Sequence, residues 1–140
     1  MKNLILLLSL VFTTLLIAQK KPVREIYSYS GKNNAELVKA KTDLFILNVV
    51  SSGIMIENNG TGNNHIDINL IMPFNKGKVT SRVRYDFLQS MYAVSLSNTK
   101  VEETSGRVTA INNEADPNHK KILDNLKNLI FTAYQKEINK

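Results

Sequence analysis

Between residues 66 and 88 the chain alternates with a period of two, and this constrains its fold more than any other feature. Ile66, Ile68, Leu70 and Met72 share one parity; Asp67, Asn69 and Ile71 share the other. Pro73 closes the run, as a residue with no N–H to give to a ladder should. Asn75-Lys76-Gly77 reads as a turn, and 78–88 repeats the pattern. There Val79, Ser81, Val83, Tyr85 and Phe87 oppose Lys78, Thr80, Arg82, Arg84 and Asp86. Strand side chains point alternately to two sides, so each run has one oily and one wet face. A third such strand is expected over 91–97, with Tyr92, Val94 and Leu96 inward. Three half-polar strands in succession predict an antiparallel meander with one face in water.

The flanking segments supply the roof. A first strand is expected over 23–30, where Val23, Ile26, Tyr27 and Tyr29 favour extended backbone. Gly31-Lys32-Asn33-Asn34 is a turn signal, and Asn33 with Glu36 fits an N-cap with its capping-box partner. Leu37, Val38, Ala40, Leu44, Phe45 and Leu47 then recur at helical spacing, to about Val50. A strand is expected over 54–57, and 58–64 is all Asn, Gly and Thr, a hairpin-loop composition. Residues 98–115 are polar and weakly patterned, with a short strand at 108–111. Asp116-Pro117 puts an N-cap before a proline in the first helical position. Ile122, Leu123, Leu126, Leu129, Ile130, Ala133 and Ile138 follow as an apolar stripe. The order is β-α-β-β-β-β-α: an α+β fold, with an antiparallel sheet of about five strands and two helices on one face.

The N-terminus is of another kind. Met1-Lys2-Asn3 is a short basic start, and 4–17 is apolar apart from Ser9, Thr13 and Thr14. As a helix this stretch is roughly 21 Å long, whereas a bilayer core takes about twenty residues. That is the length of a signal-peptide core, with the small Ala18 at the cut. Residues 1–18 are therefore expected to be a signal peptide and 19–140 a single domain, exported to the periplasm or the medium. No stable membrane span is expected after cleavage; an uncleaved N-terminal anchor is the alternative. The chain has no Cys, which removes both disulfides and the thiol that a lipid anchor after the signal would need. Stability must then come from the core alone. The formal charge is +6. Removing Lys2 from the 18 basic residues leaves 17 against 12 acidic ones, or +5. No run of five basic residues occurs, so the charge reads as solubility and weak attraction to anionic surfaces, not as a nucleic-acid footprint.

The element order, the exported start, the Gly31-Lys32-Asn33-Asn34-Ala35-Glu36-Leu37 opening of the first helix and the Tyr/Val-rich strand at 91–97 together resemble one family. It is a domain-of-unknown-function family of exported Bacteroidota proteins with a TBP-like fold. The Ile17-Ala18-Gln19 end of the signal is similar to exported proteins of that phylum. The resemblance covers 23–139 and implies the TBP-like fold. It implies no activity and no catalytic residues. Members often carry an aromatic residue, frequently Trp, in the first helix, where this chain has Phe45 and no Trp.

No chemistry-bearing motif stands out. His65 and His119 are the two histidines, in different segments, with no partners at metal spacing. Gly60-Thr61-Gly62 lacks the third glycine and following helix of a dinucleotide fingerprint. Asn59-Gly60-Thr61 matches the glycan-acceptor pattern by chance. Glu102-Glu103 and Glu114 with Asp116 are acids in polar loops, not carboxyls facing across a cleft. No cofactor and no metal are expected.

What remains is the wet face of the sheet. Lys78, Arg82 and Arg84 should lie beside Asp67 and Asn69 on the neighbouring strand. The expected function is a non-enzymatic envelope module that uses this face on a protein or an anionic ligand. TBP puts its open sheet on DNA with apolar wedges, but here the apolar side chains alternate inward and export removes the protein from DNA. No nucleic acid is therefore expected. The alternatives are a hydrolase-like enzyme whose dispersed site gathers His65 or His119 with a carboxylate, and a structural accessory subunit using the apolar C-terminal helix. Nothing in the pattern fixes an oligomeric state.

Overall fold

A computed structural model of the chain describes residues 22–75, 77–112 and 114–140. The expected signal peptide, 1–18, lies outside the described residues. The elements are β1 (Val23–Ser28), α1 (Ala35–Ser51), β2 (Met55–Thr61), β3 (His65–Phe74), β4 (Gly77–Phe87), β5 (Met91–Glu103), β6 (Val108–Ala110) and α2 (Pro117–Lys127). A π-helical stretch, Asn128–Ala133, joins α2 to α3 (Tyr134–Ile138). All pairings are antiparallel, in the order β1-β5-β4-β3-β2, with β6 also on β5. This is the expected α+β architecture. Its one long connection is the helix that carries the chain from β1, at one edge, to β2, at the other.

The strand parities fall as the alternation requires. Ile66, Ile68 and Leu70 of β3, Val79, Val83, Tyr85 and Phe87 of β4, and Tyr92, Val94 and Leu96 of β5 enter one core. The same core takes Val38, Phe45 and Val49 of α1 and the buried residues of α2 and α3, so all the helices roof one face. Tyr134 sits in the middle. Its ring lies 5.2 Å from Phe45, 5.0 Å from Tyr85 and 6.2 Å from Tyr92. Its hydroxyl is 2.8 Å from Thr42 Oγ1, the one polar side chain that α1 buries. The π-helical stretch has a reason in this packing. Its wider turn advances each residue by a smaller angle, so a stripe that would drift around an α-helix returns Tyr134 and Ile138 to the core.

Several local expectations change. The N-cap of α1 is Asn34, whose side chain accepts from the Leu37 N–H at 2.8 Å. Asn33 instead takes a bond from Lys41 and gives one to the Ile138 carbonyl, so it ties the helix start to the chain's end. Residues 58–61 belong to β2, with Asn59 as one extra residue between the Asn58–Ile68 and Gly60–Asp67 pairs. β3 continues through Pro73 to Phe74. At that level β2 has already ended, at Met55 opposite Ile71, so the proline faces no ladder on that side. β5 runs on to Glu103, past a bulge in which Asn98 and Thr99 oppose Ser81. Asn98 takes a left-handed φ of 52° there. Gly77 presses on the Glu102 carbonyl so closely that a Cβ would sit 2.1 Å from it.

Candidate functional site

Among the described residues all the helices pack on one face of the sheet, and the other face has no helix over it. Its residues are set by parity and register. One cross-strand row runs Ser97–Arg82–Asn69–Glu57, from β5 to β2. The next runs Lys100–Thr80–Ile71–Met55, and a third begins Glu102–Lys78–Pro73. Lys78, Arg82, Arg84, Asp67 and Asn69 are therefore together on one face, in the adjacency that the sequence suggested.

Their charges are largely spent on one another. Arg82 donates to Asp67 through Nε at 2.9 Å and Nη2 at 2.6 Å, a forked geometry. Arg84 lies 3.7 Å from the same carboxylate and bonds Asp86 at 2.8 Å. Asp67 is only 4% exposed, and the Arg82 bond, with help from Asn59 and Arg84, holds its carboxyl below the usual range. Lys78 and Lys100 share Glu102, at 3.1 and 2.6 Å. Those two bonds, the Lys100 one first, lower the Glu102 carboxyl in the same way. Asn69 exchanges a reciprocal pair of amide bonds with Asn59, at 2.8 and 3.1 Å. The face is a lattice of paired charges and amides, not a bare basic patch.

Beside this lattice the face sinks into a cavity of about 590 Å3. Thr80 and Ile71 form its centre, Lys78, Lys100 and Glu102 its β4–β5 side, and Glu57 its β2 side. Thr80 Oγ1 is buried and has no hydrogen-bond partner among the described residues. Glu57 makes no ion pair among them. Asp67 and Arg84 do not line the cavity; Lys78, Arg82 and Asn69 do. Glu57, Thr80, Lys100 and Glu102 were missed as site residues. For Lys100 and Glu102 the signal was the alternation around Val101, which the bulge at Asn98 puts out of step with 91–97.

The histidines lie elsewhere. His65 is at the start of β3, with Nδ1 3.2 Å from Asn64 Oδ1, and His119 is in the first turn of α2. Neither lines this cavity. Among the described residues no three His, Cys, Asp or Glu side chains cluster to hold a metal ion. No described helix is long and apolar enough to cross a membrane.

The six-stranded antiparallel sheet, roofed on one face and open on the other, is a TBP-like fold. A TBP-like protein of solved structure from Parabacteroides distasonis, one of the Bacteroidota, superposes with a TM-score of 0.54 at 13% identity. The match covers 84% of this chain and 97% of that one. At such identity the likeness speaks for the fold alone. No protein-family model matches the sequence, and no curated protein is similar to it.

Proposed function

We propose that this protein is a non-enzymatic, exported module of the cell envelope that binds a ligand or protein partner through the open face of its sheet. The observation that carries this reading is the cavity of about 590 Å3 on the unroofed face, lined with hydrogen-bonding side chains. Its size falls among small-ligand sites, roughly 300–1,000 Å3. Export is supported by the basic start, the short apolar core and Ala18 of the N-terminal segment. The resemblance to exported Bacteroidota proteins agrees with that reading.

The test must avoid Arg82, because reversing it would strand the Asp67 carboxylate as well as change the surface. Lys78 and Lys100 are half-exposed and can be neutralised with less damage. Protein carrying Lys78→Gln and Lys100→Gln, which keep polar chains beside Glu102, should keep its circular dichroism and lose partners crosslinked from envelope extract. Unchanged capture by the folded double variant would remove the open face as the binding surface.

A further inference from the structure

The charges around the cavity are sorted by sign across the sheet. Lys78 and Lys100, on β4 and β5, are two cations sharing the single acid Glu102, so that side carries one net positive charge. Glu57, on β2, is an acid without an ion pair among the described residues. Between the two sides the floor offers Ile71, which is apolar, and Thr80 Oγ1, a buried hydroxyl oxygen with no partner. The β5 and β2 backbones are three strand spacings apart, about 14 Å. Lys78 and Lys100 hold their ammoniums beside Glu102 on β5, and an ion-pair contact of about 3 Å at each end takes up part of that gap. An extended tripeptide places its terminal ammonium and carboxylate about 10 Å apart.

We infer that the cavity takes a short zwitterionic peptide of about tripeptide length, its carboxylate at Lys78 and Lys100 and its ammonium at Glu57. This rests on the open-face reading and adds a ligand class to it. Thr80 Oγ1 supplies a hydrogen bond to the peptide's main chain, and Ile71 contacts a middle side chain. Among the described residues the cavity is lined by no aromatic side chain; recognition is by the two charged ends and the spacing between them. A simple anion would satisfy the lysines and leave Glu57 facing it unfavourably. A dipolar ligand satisfies both sides.

The experiment is a chemical-shift titration of isotope-labelled protein with trialanine, N-acetyl-trialanine and trialanine amide. Trialanine should shift the Ile71 and Thr80 amide signals saturably, and capping either end should weaken binding roughly tenfold. Glu57→Gln should weaken trialanine by a similar factor and leave N-acetyl-trialanine unaffected, because the ammonium that Glu57 reads is already gone. Thr80→Val, close in shape, should weaken all three peptides alike. No saturable shift at Ile71 and Thr80, or equal binding of capped and free peptides, overturns the assignment. If envelope partners are still captured through Lys78 and Lys100 while trialanine fails, the open-face reading stands and the peptide assignment falls. Trialanine binding without envelope capture would uphold the peptide site and remove the protein-partner form of that reading.

Discussion

Asp67 shows how one side chain can be polar by position and still be buried. Its parity puts it on the water side of β3, yet Arg82, Arg84 and Asn59 close over it until only 4% of it is exposed. A carboxylate so enclosed is tolerable because it accepts charged hydrogen bonds; removing its main donor would leave it uncompensated. Arg82 is itself half-exposed, so solvent screens part of the effect. Arg82→Gln should therefore cost about 2 kcal/mol at neutral pH, below the roughly 3–5 kcal/mol of a fully buried broken pair. The acid dependence follows from the direction of the Asp67 shift. With the folded carboxyl held below its ordinary value of 3.8, the unfolded chain takes up the proton first as pH falls. The stabilisation is full above that value and is lost as pH falls through the depressed one. In urea unfolding, the gap between the native protein and Asp67→Asn should narrow across the acid range. A gap that stays constant there would show that Arg82 does not hold the carboxylate in its ionised form.

At the scale of elements, α1 is apolar on two sides, and only one of them is packed. Val38, Thr42, Phe45 and Val49 face the core, while Leu44 and Leu47 are each 61% exposed and Leu37 40%. Positions 37, 40, 44 and 47 recur at helical spacing as regularly as the buried set does. The helix follows from that spacing, but the single apolar face expected from it divides: Val38 and Phe45 turn inward, and Leu37, Leu44 and Leu47 turn outward. The two stripes should respond oppositely to mutation. Leu44→Gln with Leu47→Gln should leave the melting temperature nearly unchanged, as surface substitutions do. Phe45→Ala, which removes the ring against Tyr134, should cost about 3–5 kcal/mol. A large loss from the leucine pair would mean that the outward stripe is covered in solution. The same contrast governs what else was legible. β3, β4 and the first half of β5 could be read residue by residue, because one wet and one oily face impose strict alternation. So could the start of α2, where Asp116 accepts from the Asn118 and His119 amides. The bulges at Asn59 and Asn98 were not legible. One inserted residue resets the parity, so the second half of β5, with Lys100 and Glu102, passed for irregular chain. Asn98, Lys100 and Glu102, on one side of the candidate cavity, were hidden for that reason alone.

For the whole molecule, the five tyrosines tie its layers together in one connected group. Tyr27 and Tyr29 each stack on Tyr92, at 5.2 and 5.5 Å, and Tyr92 meets Tyr134, which meets Tyr85. Strands from one edge to the middle of the sheet and the C-terminal helix thus share a single aromatic cluster, in a chain with no disulfide to hold it. All five phenols are pushed up from their ordinary value of 10.0, with burial the largest cause in each case. For Tyr27 the bond to the Glu25 carboxylate adds to the shift. Tyr85 is the extreme: it is fully buried, and its hydroxyl has no partner among the described residues. The folded protein therefore keeps protons that the unfolded chain releases near pH 10, and the sign of the linkage is fixed. The tyrosine contribution to stability is complete below pH 10 and is lost as pH rises toward the raised folded values. Because the phenols sit in one core, the first to ionise weakens the packing that protects the others. Alkaline titration should show tyrosinate absorbance appearing above pH 10 in one steep step, coincident with loss of near-UV circular dichroism. Refolding on return to neutral pH should recover both signals together. Five shallow, independent titrations centred near pH 10 with the dichroism intact would mean that the cluster is open to water and does not join sheet to helix.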